Sequence, residues 1–348
     1  MKKVLITGIT GQDGSHMIDY LLKNTSVNIY GAIRKLSNYN DVNLKHIKDN
    51  RFKIINLDIT DSESVKYYIK LLKPDYFINF AAQSFVGTSW QQPILTFNTN
   101  TMPIIYILEA IREYCPNCRF YSAGSSEEFG NIDYIPQDLN HKRKPRSPYG
   151  ASKCAAGHLV KVYRESYNLF AIHSILFNHE GTRRGKEFVT RKITSQMARI
   201  KHQLKNCERH GTIIEPLELG NIYVKRDWSD SEDFVEAIWL MLQQENPEDY
   251  LLASNEVHSV KEFIDLVCQY LELETKWIID DNNPLNNKLM CGEQVILRIN
   301  NDYYRPAEVD ILCGDASDSF KRLNWEPKIS FNELVKKMTL NDYENYNK

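Results

Sequence analysis

The sequence predicts an α/β protein, a doubly wound parallel sheet followed by a smaller α/β domain that covers its strand ends. Three observations carry this. Short apolar runs alternate with amphipathic helices through the first half of the chain, the pattern of parallel strands joined by helical crossovers. The stretch "VLITGITGQDGSHM", Val4 to Met17, sets three glycines directly after an apolar run of β-formers. After Phe177 the rhythm gives way to basic and irregular segments.

The elements follow in order. "KKVLIT" reads as a strand. "DGSHMIDYLLKN" reads as a helix with Met17, Ile18, Leu21 and Leu22 on one face. "VNIYGAI" and "FKIINLDI" are strands, "SESVKYYIKLL" a helix, "YFINFAA" a strand, "MPIIYILEAIREY" a helix and "RFYSAG" a strand. A long helix starts at Ser147, a plausible N-cap with Pro148 in the first turn, and "AIHSILF" returns as a strand. "FVEAIWLMLQQ" and "DYLLAS" add one more helix and strand to the sheet. "VKEFIDLVCQYLEL" and "FNELVKKMTLNDYE" are amphipathic helices, and "WIIDDNNPLNNKLMCGEQVILRIN" is expected to be a loop-rich insertion. The domain division expected is 1–177 plus about 226–256 for the sheet, and 178–225 plus about 257–348 for the smaller domain.

Composition narrows the function classes. The chain has 348 residues and a formal net charge of −2, so no global field favours nucleic acid or an anionic membrane. An anionic ligand must be held by local cations. No apolar run approaches the roughly 20 residues that span a bilayer, and "MKKVLITG" lacks a signal-peptide core, so a cytoplasmic location is expected. The seven cysteines are scattered and odd in number, which fits a reducing compartment. Cys115 and Cys118 form one C-x-x-C without a second ligand pair, so no metal site is expected.

The glycine run suggests chemistry. A strand turning at once into a helix presents free N–H groups and the positive end of a helix dipole. A pyrophosphate sits there if no Cβ blocks it, the role expected of Gly8, Gly11 and Gly14. The spacing is G-x-x-G-x-x-G rather than G-x-G-x-x-G. About 20 residues on, where an acid would bind the ribose of NAD, stand Arg34 and Lys35. Cations there suit the 2′-phosphate of NADP, against the plainer reading of two solvated basic residues. Asp58 could accept from an adenine amino group or cap the helix that follows it.

In "RSPYGASK", Tyr149 and Lys153 share a helix face at i and i+4. A tyrosine near its reference pKa of about 10 is a poor base at neutrality, and a neighbouring ammonium and a cationic nicotinamide favour its phenolate. In "YSAGSSEEFG", polar residues at the carboxyl end of a parallel strand sit where α/β enzymes place chemistry. Ser125 can hydrogen-bond a reacting hydroxyl and Glu127 can serve as acid and base, but spacing alone does not choose between Glu127 and the adjacent Glu128.

On "GITGQDGS", "AAQSFV", "PRSPYGASK", "ILFNHEG", "RRGKEFVTRKIT", "GNIYVKRDW" and "YYRPAEV", the chain resembles the extended short-chain dehydrogenase/reductases, which have a Rossmann sheet, and within them the GDP-mannose 4,6-dehydratase family. The resemblance implies a redox-neutral lyase reaction with tightly bound NADP: oxidation at sugar C4, loss of water across C5 and C6, and return of the hydride to C6. It implies catalytic roles for Ser125, Glu127, Tyr149 and Lys153. Cofactor contacts are implied for Gly8, Thr10, Gly11, Gln12, Asp13, Gly14, Arg34, Asp58, Ala81, Gln83, His179 and Arg184, besides Tyr149 and Lys153. Contacts to the GDP-sugar are implied for Ser84, Asn178, the Val189 backbone, Lys192, Arg226, Arg305 and Glu308. The "RRG" loop with Arg183 and Arg184 reaches a neighbouring subunit in the family, so a homotetramer is expected, or failing that a dimer.

The chain departs from the family pattern in places. Ser125 stands for a usual threonine, Gly124 for a serine, and Glu128 for an apolar residue. "AAQSFVGTSW" brings Phe85 and Trp90 toward the expected sugar pocket, and the helix from Ser147 is poorer in aromatics than the family's. The altered pocket wall leaves GDP-D-glycero-D-manno-heptose as an alternative substrate. An epimerase or reductase would need the tyrosine but not the second acid/base. A cofactor-sensing binding protein could dispense with Ser125, Tyr149 and Lys153 altogether.

Overall fold

The computed structural model describes residues 1–34, 40–210, 213–304, 309 and 311–346. Its centre is built from β1 (Lys3–Thr7), α1 (Gln12–Asn24), β2 (Asn28–Ile33), β3 (Phe52–Asn56), α2 (Ser62–Leu72) and β4 (Tyr76–Asn79). Two short helices follow, α3 (Val86–Gln91) and α4 (Pro93–Asn100), then α5 (Met102–Tyr114), β5 (Arg119–Ala123), α6 (Pro148–Tyr167) and β6 (Ala171–Leu176). In the second half come β7 (Asn178–Glu180), α7 (Val189–His210), β8 (Leu217–Leu219), β9 (Lys225–Arg226), β10 (Trp228–Asp230), α8 (Ser231–Met241) and β11 (Tyr250–Leu252).

Seven strands form one sheet in the order β11-β6-β5-β4-β1-β2-β3, with every pairing parallel. This is the doubly wound order, and it reverses between β1 and β4. Alternation along β1 shows how both faces are buried. Val4 and Ile6 point to one side, against Met17 and Ile18 of α1 and Phe234 and Ile238 of α8. Leu5 points to the other, with Val65 of α2, Ile107 and Ile111 of α5 and Val160 of α6. A strand buried on both faces is mostly apolar, and "VLI" carries no polar residue.

The remaining elements are β12 (His258–Ser259), α9 (Val260–Tyr270), β13 (Thr275–Ile278), β14 (Lys288–Cys291), β15 (Gln294–Ile299), β16 (Ile311–Leu312), α10 (Ser317–Leu323) and α11 (Phe331–Asn345). Helices α7, α9 and α11 share a second apolar cluster with the sheet β13-β14-β15-β8, including Met197, Phe263, Leu289, Leu297 and Leu334. About half of the segment expected to be a loop-rich insertion is therefore sheet, in β13, β14 and β15. β14 and β15 form an antiparallel hairpin that turns at Gly292, with φ +57. The polar "DDNNPLNN" connects β13 to β14, and its composition masked the strands on either side. Two small sheets bring the chain back to the strand ends of the large one: β7 pairs with β10, and β9 lies between β12 and β16.

Candidate active site

The glycine loop opens the site, but its three glycines do different work. Gly8 has φ +70, and a Cβ there would lie 2.8 Å from the Ala81 nitrogen after β4. A Cβ on Gly14 would lie 2.4 Å from the Gly8 carbonyl oxygen. These two make room for the protein's own backbone, so that α1 starts hard against the strand. Gly11 is the N-cap of α1 and supplies no side-chain cap, leaving the helix start open to an anion. A cavity of about 980 Å³ runs along this loop, lined by Gly8, Thr10, Gly11, Gln12, Asp13 and Gly14. Arg34 after β2, Asp58 after β3 and Ala81 after β4 complete its wall. Asp58 binds the Thr60 backbone and hydroxyl at 2.9 and 2.7 Å, and the cap of α2 is Asp61 instead. Gln83 does not line the cavity: its side-chain amide donates to the Phe85 carbonyl at 2.9 Å.

A second cavity of about 320 Å³ adjoins the first, and Asp13, Ser84 and Arg184 line both. Ser125, Glu127, Tyr149 and Lys153 all face it. β5 ends just before Ser125, and Ser147 caps α6 by accepting from the Gly150 N–H at 3.0 Å, which fixes the first turn carrying Tyr149. Burial pushes the Tyr149 phenol up to about 12, while its hydrogen bond with Ser125 draws it down. Burial also lowers the Lys153 ammonium to about 8, against the opposing charges of Glu128 and Asp13. Lys153 lies 5.9 Å from the Tyr149 ring centre and donates to the Ala123 carbonyl at 2.8 Å. Burial is thus the dominant influence on the phenol, and Ser125 and Arg184 are the side chains that draw it down.

The two adjacent glutamates separate cleanly. Glu127 lines the inner cavity. Glu128 is fully buried behind it, accepting from the Ser125 N–H at 3.0 Å, 2.9 Å from His173 Nε2 and 3.2 Å from the Arg143 guanidinium. Glu128 therefore belongs to the support of the turn Ser126–Glu128 and is withdrawn from the cavity.

At the junction of the cavities, His179 Nε2 lies 2.9 Å from Asp13 Oδ2. Enclosure favours a neutral Asp13, but His179 overrides it and holds the carboxyl far below its usual range. Enclosure likewise disfavours a charged His179, and Asp13 outweighs that, raising the imidazole. Arg184 ion-pairs with Glu180 at 3.0 Å, and Arg183 with Asp19 of the same chain at 2.6 Å.

The inner cavity is also lined by Asn178, Val189, Lys192 and Arg226. Lys192 donates to the Glu218 carbonyl at 2.8 Å and stands 3.6 Å over the Tyr303 ring. Phe85 lines the wall as expected, but Trp90, on α3, does not. Phe188 was not foreseen. It packs edge-on against Phe85, and the Arg184 guanidinium lies 3.6 Å over its ring. The only trace of it in the sequence is one aromatic inside the basic "RRGKEF" loop. Lys35, Arg305 and Glu308 lie outside the described residues.

Comparison with known proteins follows this geometry. The family model described as GDP-mannose 4,6 dehydratase matches residues 5–338. The chain is 41% identical to the GDP-mannose 4,6 dehydratase of Drosophila melanogaster, over 99% of this chain and 86% of that one. It is 38% identical to the Homo sapiens protein of the same name, over 98% and 91%. Among solved structures, the dTDP-glucose 4,6-dehydratase DesIV of Streptomyces venezuelae superposes with a TM-score of 0.82 at 20% identity, covering 99% and 98% of the two chains. The UDP-glucose 4-epimerase of Thermotoga maritima gives 0.81 at 20%, covering 99% and 100%. At that identity the likeness speaks for the fold alone, whereas the match along nearly the whole sequence decides the family: this chain belongs to the GDP-mannose 4,6 dehydratases.

Proposed function

We infer that the protein converts GDP-mannose to GDP-4-keto-6-deoxy-mannose and water, using NADP. The observation that carries this reading is the convergence of Ser125, Tyr149, Lys153 and Glu127 on one cavity. A reductase or epimerase needs the first three, and elimination adds a group that both takes and gives a proton.

The dinucleotide reading is supported by a helix start without a side-chain cap, by the long cavity beside it and by the cation Arg34 at the end of β2. The last of these favours the 2′-phosphate of NADP. When bound, the dinucleotide supplies a hydride acceptor for C4 and a donor for C6. The remaining chemistry belongs to side chains. Tyr149 takes the proton of the sugar O4, and the Ser125 hydroxyl stabilises the phenolate. The C4 ketone so formed acidifies C5–H. Glu127 removes that proton and delivers one to the C6 hydroxyl as it leaves as water, and C5 is reprotonated when C6 is reduced, which balances the proton that Tyr149 took from O4. Lys153 orients the nicotinamide ribose. Asn178 donates a hydrogen bond to the diphosphate and Arg226 neutralises it, with the Arg226 fork suited to its oxygens. Val189 and Lys192 meet the guanine, and Arg305 and Glu308 are read as diphosphate and ribose contacts by resemblance. On this reading, 1–177 with about 226–256 hold the cofactor, and 178–225 with about 257–348 hold the GDP-sugar. No observation favours the heptose over the hexose.

The assembly is read as a homotetramer. Ile94 and Leu95 on α4 and Val162 on α6 are exposed apolar side chains that a second copy would cover; sedimentation at equilibrium checks the stoichiometry. Among the described residues no helix is long and apolar enough to cross a membrane, and the reading is of a cytoplasmic enzyme. The deciding experiment is incubation of the purified protein with GDP-mannose, followed by mass spectrometry. Loss of one water with no net NADPH absorbance is expected. An unchanged mass rules the dehydratase reading out.

A further inference from the structure

Behind the proton-transfer residues lies a charged cluster that the reaction does not use. Glu128 and His173 are fully buried, and Arg143 is largely so. Glu128 Oε1 takes both the Ser125 N–H at 3.0 Å and His173 Nε2 at 2.9 Å. Its Oε2 ion-pairs with Arg143 at 3.2 Å. Two glycines clear the space. A Cβ on Gly124 would lie 2.5 Å from His173 Nε2 and 2.6 Å from Glu128 Oε1. A Cβ on Gly157 would lie 2.7 Å from His173 Cδ2 and 2.8 Å from the Arg143 guanidinium. Neither glycine has a positive φ, so backbone freedom is not what they provide. Gly157 sits inside α6, where glycine destabilises a helix relative to alanine.

Such a cluster is a poor device for stability alone, because well-packed apolar residues often serve as well as a buried ion pair. Its position suggests another use. We propose that Glu128, clamped by His173 and Arg143, is a positioning residue for the proton-transfer centre: it grips the Ser125 backbone and sets the electrostatic potential at Lys153 and Tyr149. This rests on the functional reading above.

The grip is direct. With its N–H held by Glu128, Ser125 accepts from the Glu127 N–H at 3.3 Å through its hydroxyl oxygen, so its own proton is available to Tyr149. The potential follows from charge. Burial would neutralise Glu128, but His173 and Arg143 hold its carboxyl below the usual range, so it stays ionised. A buried negative charge favours the Lys153 ammonium and disfavours the Tyr149 phenolate.

Asp13 of α1 and Glu127 also face these two groups, as do His179 and Arg184 from the chain after β6. Cys154 of α6 faces Glu128 and Arg143, and Asp249, paired with Arg164, faces His173 and Arg143. None of these changes in the variant tested. Removing the Glu128 charge lowers the pKa of both Lys153 and Tyr149.

The test is Glu128→Gln, which keeps an acceptor for Ser125 and removes the charge. In the ligand-free protein, acetylation of Lys153 with acetic anhydride across pH, read by peptide mass spectrometry, reports its titration without turnover. The midpoint should fall by on the order of half a pH unit. With GDP-mannose, both limbs of the kcat–pH profile should move acidward, with KM within two-fold. Glu128→Asp, which keeps the charge, should leave the limbs in place. An unmoved Lys153 midpoint in the Gln variant overturns the proposal, even if activity falls. If that variant does not fold, Arg143→Gln decides by the same labelling: loss of the counter-charge changes the field of Glu128, so the Lys153 midpoint should shift, and no movement refutes. Failure of the wild-type protein to dehydrate GDP-mannose would sink the functional reading and leave the labelling result standing.

Discussion

Ser125→Ala offers the sharpest test of how Tyr149 is made reactive. Burial places the phenol at about 12, so near pH 8 its ionisation is uphill by about four pH units, or ~5.4 kcal/mol. The Ser125 hydroxyl is the side chain that most lowers it. A hydrogen bond to a charged group contributes roughly 1.5–3 kcal/mol, so its loss should reduce kcat by about 10- to 150-fold. The same hydroxyl accepts from the Glu127 N–H at 3.3 Å, and losing that cap costs on the order of 1 kcal/mol. The two effects separate in the assay. A lost cap lowers the Tm, whereas a lost partner for the phenolate also moves the acid limb of the kcat–pH profile basicward. The readout is GDP-mannose consumption from pH 6 to 10, with the Tm measured in parallel. Ser125→Thr, which keeps the hydroxyl, should restore both rate and limb. A Ser125→Ala enzyme within two-fold of wild type, with its acid limb unmoved, would refute the reasoning.

Glu127→Gln should lower water loss by at least about 10²-fold while NADP binding, followed by fluorescence titration, is retained; unchanged elimination would assign the proton transfer to another group. Arg34→Met should weaken NADP by roughly 10-fold or more and leave NAD little affected, as titration of each dinucleotide would show. Gly14→Ala forces a Cβ to 2.4 Å from the Gly8 carbonyl, and it should destabilise the fold by about 1–3 kcal/mol in urea. The Asp13–His179 pair makes stability depend on pH. The depressed carboxyl stabilises the fold above its ordinary value of 3.8 and loses that as pH falls through its lowered value. The raised imidazole stabilises below its ordinary 6.5 and loses that as pH rises through its raised value. The urea midpoints of ligand-free wild type and His179→Asn should therefore differ most between about pH 4 and 6.5, and a constant difference across pH would argue against the pair.

The large sheet was legible because its inner strands are buried on both faces and are written mostly in apolar residues, as in "VLI" and "YFI". Tyr149 and Lys153 were legible because a helix fixes where i and i+4 point. Four things were not. The hairpin around Gly292 was hidden by the polar run before it, since a small sheet packed on one face leaves a weaker pattern. The choice between Glu127 and Glu128 depends on His173, which is distant in sequence and whose contact no local spacing encodes. The packing role of Gly8 and Gly14 was hidden: they line the long cavity, but a Cβ on them would meet the Ala81 nitrogen and the Gly8 carbonyl oxygen, and a clash between backbones looks in sequence the same as room for a phosphate. Phe188 reaches the cavity from a basic loop with no periodicity to read.

The strand β11 joins the sheet beside β6 only after the chain has made its excursion through β7, α7 and α8. During synthesis, a chain that has emerged as far as Leu176 presents "AIHSIL" as an open edge whose six side chains are all buried in the finished fold. Such an edge is a template for pairing with other chains. Nascent protein is therefore most vulnerable to aggregation between completion of β6 and arrival of Tyr250–Leu252, and fragments ending in that interval should pellet where the full-length chain stays in solution.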